Sequence, residues 1–111
     1  MEITSKQFKH CDLLAVKGRV DSATSPKLGE ALEAIANEGR YKIVIDMTGL
    51  EYMSSAGFRV LIAAQRNCKR FNRGEVVLAV VPPTINAALE LAGFTALFKI
   101  FPDVTTAVGD I

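Results

Sequence analysis

Two adjacent serines, Ser54 and Ser55, stand where an apolar run gives way to a helical pattern, and that placement gives a hydroxyl something to do. Val44 to Met47 reads as the end of a buried strand, the residues up to Met53 as a short loop, and Ser55 onward as a helix. The first N–H groups of a helix lack intrahelical acceptors, and the backbone dipole is positive there. A phosphate placed on a serine at that point is therefore favoured and leaves the fold intact. The plainer role is an N-cap, worth about 1 kcal/mol and common for serine anywhere. The two roles are compatible, because a phosphate inherits contacts with the same N–H groups.

Other chemistries find less support. A serine hydrolase needs a base and an oxyanion site, but the only histidine, His10, falls in a distant hairpin turn and no Gly-x-Ser-x-Gly elbow occurs. One histidine and two separated cysteines, Cys11 and Cys68, do not make a metal cluster, and no cofactor is expected. Neither nucleotide-binding glycine motif is present. Both cysteines read as small buried or half-buried side chains.

The chain has 111 residues, half of them apolar, enough for one domain with one proper core. A formal net charge of +1 provides no field to concentrate nucleic acid or an anionic membrane, and no direct nucleic-acid contact is expected. Charges and prolines break every apolar run well short of a membrane span. The polar start Met1-Glu-Ile-Thr-Ser-Lys is unlike a secretory leader, and the cysteines lack a Cys-x-x-Cys spacing, so a reducing cytoplasm is the expected location.

The elements that must position the serines follow from periodicity. Ile3–Lys9 and Leu13–Val20 suit an antiparallel hairpin at one side of a sheet. Ser25-Pro26 supplies an N-cap and a first-turn proline for a helix with Leu28, Ala31, Leu32 and Ile35 on one face, ending at Gly39. Tyr41–Met47 and Val76–Val81 are aliphatic enough for central strands buried on both faces. A helix from Ser55 to Phe71 crosses between them and makes them parallel. Its apolar face carries Val60, Leu61, Ala64, Cys68 and Phe71, and its other face Arg59, Arg66, Arg70 and Arg73. That basic stripe reads as solvated or as a docking face for an acidic protein. A second crossover at Thr84–Ala92, an edge strand at Phe98–Phe101 and a helix capped by Asp103 complete the order β-β-α-β-α-β-α-β-α. This is an α/β domain over residues 1–111, with a mixed, mostly parallel sheet and about four helices. Binding sites in such sheets gather beyond the carboxyl ends of parallel strands, where the serine loop lies.

Tyr52-Met-Ser-Ser-Ala-Gly-Phe-Arg-Val-Leu61, preceded by Val44-Ile-Asp-Met-Thr48, resembles the signature of the STAS family, which includes bacterial anti-sigma factor antagonists. That family shows a strand ending in Asp-hydrophobic-Ser, then Asp-Ser-Ser/Thr-Gly-Leu-Gly or the variant Ser-Ser-Ala-Gly-Leu. Aligned on Gly57, the family's phosphorylated serine falls on Ser55, its preceding acid on Ser54 and its following Ser/Thr on Ala56. Asp46 and Thr48 match the strand-end pair, and Gly18-Arg-Val-Asp21 resembles a Gly-x-hydrophobic-Asp at the end of the second strand. Ser54 in place of the acid, Phe58 in place of leucine and Arg59 in place of a second glycine bear on which kinase would read the loop.

The resemblance implies a protein that binds an anti-sigma factor, often a serine kinase, and so frees a sigma factor; phosphorylation at Ser55 ends the binding and a serine phosphatase restores it. It implies no enzymatic activity in this chain. The implied partner surface comprises Asp21, Asp46, Thr48, Met53, Ser54, Ser55, Gly57, Phe58 and Arg59. Asp21 and Asp46 either orient Ser55 or bond loop backbone as turn residues. Thr48 shapes the turn, and Met53 and Phe58 are either exposed anchors or core contacts. The rival expectation is a STAS module that binds a small ligand or docks on another signalling or transport assembly, with Ser55 unmodified.

Overall fold

A computed structural model describes residues 1–111. β1 (Glu2–Gln7) and β2 (Asp12–Val20) form the expected antiparallel hairpin, and β1 is one edge of the sheet. Helix α1 (Ser25–Asn37) then leads to β3 (Lys42–Asp46). The helix begins at Ser25, so Thr24 takes the cap position that the sequence suggested for Ser25. Thr24 makes no side-chain cap bond; instead Asp21 Oδ1 accepts the N–H groups of Ala23 and Thr24 just upstream. This Asx-type turn fixes the path of the chain into the helix.

A strand that the sequence did not reveal follows next. β4 (Leu50–Met53) pairs in parallel with the upper half of β2, beyond the reach of β3. Gly18 faces Leu50 and Arg19 faces Tyr52, leaving Glu51 as an extra residue, a bulge of the kind that turns a strand. α2 (Ser55–Lys69) runs straight on from it. The helix gives way to one 3₁₀ turn at Arg70–Asn72, where Phe71 adopts φ 60°, and this breaks the helical period. Phe71 is therefore 79% exposed and does not extend the apolar face as expected. The same break takes Arg73 off the basic stripe: its guanidinium lies 3.9 Å from the Tyr41 ring centroid and donates to Tyr41 Oη at 2.9 Å.

β5 (Glu75–Ala79), α3 (Pro83–Leu91), the two-residue edge strand β6 (Ile100–Phe101) and α4 (Val104–Asp110) complete the chain. Asp103 caps α4 as expected, accepting the Thr106 N–H at 2.7 Å. The strand order β1-β2-β3-β5-β6, parallel except for β1, places β3 at the centre with β5 beside it.

Strand alternation divides the apolar residues between two layers. Leu14, Ile43, Ile45, Val76 and Leu78 meet α1, α2 and α3 through Leu28, Leu32, Leu61 and Leu89 on one side. Cys11, Val44, Val77 and Ala79 meet Ala107 of α4 on the other. Gln65 is buried on α2, yet fully partnered. Its amide takes the Val76 N–H at 2.6 Å and donates to the Val76 carbonyl at 2.9 Å and the Leu97 carbonyl at 2.7 Å. The C-terminal half of α2 is thereby tied to β5, because a buried amide left without partners would be costly.

Candidate functional site at the opening of helix α2

The serine loop is held by main-chain pairing. Val20 at the end of β2 faces Met53 at the end of β4, and the Ser54 N–H donates to the Val20 carbonyl at 2.8 Å. Ser54 then takes an extended conformation (φ −81°, ψ 171°), and its carbonyl accepts the Phe58 N–H at 3.1 Å, the first bond of the helix. Ser54 is thus the N-cap residue by backbone, but its Oγ makes no cap bond. That oxygen is buried and has no hydrogen-bond partner. Ser55 is the first helical residue and is exposed. The N–H groups of Ser55, Ala56 and Gly57 have no acceptor within the helix, so the hydroxyl of Ser55 stands beside free donors at the positive end of a 15-residue dipole.

Gly57 explains how the helix approaches the strands so closely. A Cβ there would stand 2.6 Å from Met53 Cγ and 2.9 Å from Val20 Cγ1, inside van der Waals contact with the ends of both β4 and β2. A glycine at this position lets the first turn of α2 rest on the strands that carry Asp21 and Ser54.

Met53 and Phe58 are corrected from possible exposed anchors to core residues. They are 6% and 7% exposed, and the Phe58 ring meets Phe94 edge-on with centroids 6.2 Å apart. The apolar face of α2 starts at Phe58, so the ring points under the loop. Arg59, one turn after Ser55 on the same side of the helix, is exposed.

Asp21 follows directly on the Val20 carbonyl that holds Ser54, which places it beside the serines. Its Oδ1 accepts the Thr24 N–H at 3.0 Å, the Thr24 hydroxyl at 3.1 Å and the Ala23 N–H at 2.9 Å. These bonds, Thr24 foremost, together with nearby Arg19, hold its pKa below the ordinary carboxylate value. Asp21 is thus an ionised, half-exposed group whose bonds go to its own turn.

Asp46 and Thr48 do not reach Ser55. Asp46 is opposite Ala15 on β2, whereas Met53 is opposite Val20, so roughly 15 Å of extended strand separates the two levels. Asp46 Oδ1 accepts the N–H and hydroxyl of Thr48 at 3.0 and 2.5 Å and shapes the turn between β3 and β4. The structure therefore brings together Asp21, Ser54, Ser55, Gly57 and Arg59, with Met53 and Phe58 beneath. Reasoning from the sequence missed Arg19 and Tyr52, which face each other across the β2–β4 ladder. The guanidinium lies 4.4 Å from the ring centroid, and both side chains are exposed next to the loop. Arg19 sits inside the Gly18–Asp21 motif, but its aromatic partner becomes visible only through the strand β4.

Three comparisons bear on this arrangement. The chain is 29% identical over 100 residues to a Bordetella bronchiseptica protein named as the anti-sigma factor antagonist BtrV, covering 90% of this chain and 85% of that one. The fold matches the anti-sigma factor antagonist SpoIIAA in its unphosphorylated form with a TM-score of 0.76 at 14% identity, over 99% of this chain and 100% of SpoIIAA. It also matches part of the murine anion transporter Slc26a9 with a TM-score of 0.75 at 14% identity, covering 93% of this chain but only 18% of the transporter. The overall fold thus recurs in both solved structures. Since the family model of the STAS domain matches residues 2–107, this chain belongs to the STAS domain family.

Proposed function

We propose that this chain is a cytoplasmic anti-sigma factor antagonist whose unphosphorylated serine loop binds an anti-sigma factor that is also a serine kinase. Phosphorylation of Ser55 ends the binding, and a serine phosphatase restores it; the chain is a kinase substrate and performs no catalysis itself. The observation that carries this reading is that Ser55 is exposed at the first position of α2, beside unpaired backbone donors and one turn before Arg59. The similarity to proteins named as antagonists supports it, as does the match, with a TM-score of 0.77, to SpoIIAA of Bacillus in a phosphorylated form. The contact surface in this reading is Asp21, Arg19, Tyr52, Ser54, Ser55 and Arg59.

Incubation with the kinase, ATP and Mg²⁺ is expected to add one phosphate, at Ser55, located by peptide mass spectrometry. Addition confined to Ser54, whose Oγ is buried, or to Thr48, in the turn between β3 and β4, would overturn the assignment.

Ser55→Asp should mimic the released state without unfolding the domain. A negative charge at the first helical position is neutral or stabilising by about 0.3–1 kcal/mol, because the dipole is positive there. The same charge enclosed by a partner loses its water and weakens the complex unless a cation meets it. Binding should fall while melting temperature holds, both measured on one preparation.

A second reading, a module that docks on another assembly with Ser55 unmodified, is favoured by the match to part of the Slc26a9 transporter. Undiminished binding of Ser55→Asp to the partner would support it.

A further inference from the structure

The β1 edge of the sheet is left open. β1 is six residues long, pairs with β2 without a register shift, and contains neither proline nor glycine. The opposite edge, β6, has only two residues. An open strand of this length presents a row of unpaired N–H and C=O groups, which folds usually block with charges, prolines or bulges. Here the only blocking charges are Glu2 and Lys6, and neither is engaged in an ion pair.

Those two charges are complementary to themselves. Two copies of one edge can pair antiparallel only if residues of like parity face each other, since alternate residues direct their backbone groups outward and alternate side chains share a face. With Thr4 opposite Thr4, Glu2 of each copy faces Lys6 of the other and Ile3 faces Ser5. Moving the register by two residues either way sets Glu2 against Thr4 or Lys6 against Thr4 and loses both ion pairs.

The neighbouring surface has the same symmetry. Ile3 and Ser5 line a groove of about 620 Å³ between β1 and α1, with Ala31 and Ala34 at its middle and Lys27 and Glu38 at opposite ends. A two-fold axis through Thr4, perpendicular to the sheet, brings the Lys27 end of each groove towards the Glu38 end of the other. We infer that β1 pairs antiparallel with β1 of a second copy of this chain, with Thr4 on the two-fold axis, to give one continuous sheet across the dimer. Because that axis reverses strand direction, the two serine loops lie at opposite ends of the sheet and both stay open. The inference does not depend on Ser55 being modified.

Thr4→Cys tests the axis directly. Opposed Cα atoms in an antiparallel pair lie about 4.5–5.5 Å apart, within the reach of a disulfide. The native Cys11 and Cys68 are each 1% exposed and do not compete. Mild oxidation of Thr4→Cys is expected to give a covalent dimer on a non-reducing gel, whereas Ser5→Cys, whose opposite number is Ile3, gives little. By sedimentation equilibrium, Lys6→Glu should raise the dimer dissociation constant about tenfold by turning two attractions into repulsions. The charge-swapped pair Glu2→Lys with Lys6→Glu should return it towards the wild-type value. A chain that stays monomeric at every concentration, equal cross-linking at both cysteine positions, or a swap that fails to restore association would each overturn the proposal.

Discussion

Phe58→Ala is expected to unfold the domain more readily by about 3–5 kcal/mol, the range for truncating a buried phenylalanine. The ring is 7% exposed, belongs to the larger core layer and meets Phe94 edge-on, so the substitution removes both buried area and an aromatic pair. Such a loss is a large part of the roughly 5–15 kcal/mol that holds a domain together. At about 4 °C per kcal/mol for a chain of this size, the melting temperature should drop by more than ~10 °C. Phe58→Leu, which matches the residue common in the family and keeps most of the volume, should recover most of the loss. An Ala variant with unchanged melting but lost partner binding would return Phe58 to the contact surface.

Arg40→Met should cost about 3 kcal/mol, at the lower end of the range for breaking a buried ion pair, because the Arg40 side chain retains 22% of its exposure. Arg40 Nε pairs with Asp12, a carboxylate in a residue that is only 5% exposed at the start of β2. Its Nη2 donates to the carbonyls of Phe8 at 2.5 Å and Cys11 at 3.1 Å. One guanidinium therefore closes the β1–β2 turn onto the connection between α1 and β3. Removing it strands a charge and leaves two carbonyls without this donor. Adding Asp12→Asn to Arg40→Met takes away the stranded charge, so the double variant should be more stable than Arg40→Met alone in urea titrations. A single variant within about 0.5 kcal/mol of the parent would show the pair to be a solvated surface contact.

Neither of these anchor roles has the same visibility in the sequence. β3 and β5 are legible because Lys42–Asp46 and Glu75–Ala79 are aliphatic runs bounded by charges and glycine, and such runs suit strands covered on both sides. α1, α3 and α4 announce themselves through proline, glycine and aspartate at their ends. Leu50–Met53 offers no comparable signal. Four residues after a Thr-Gly turn carry too little periodicity, and its partner is a segment of β2 thirty residues earlier, reached through a bulge. Phe71 continues the helical pattern on paper, yet the backbone turns left-handed at that residue, and the side chain swings into solvent. Asp46 has the right residue type and motif position for the site, and only the strand register shows that it stops well below Ser55. The opening of a helix at Ser54 and Ser55 was legible from type and order alone. The Arg19–Tyr52 pair and the burial of Phe58 required the third dimension.

The fastening of α2 has a consequence for how quickly a partner can engage. Gly57 seats the first turn against Val20 and Met53, and the Gln65 amide locks the C-terminal half of the helix to the Val76 backbone and the Leu97 carbonyl. Tilting the helix would break three hydrogen bonds of the Gln65 amide at once, two of them buried, which disfavours any alternative pose. A docking protein would then meet a finished surface, its association limited by diffusion and orientation, with no waiting for an internal rearrangement. Modification at Ser55 would show itself mainly in the lifetime of the complex, as a faster dissociation rate.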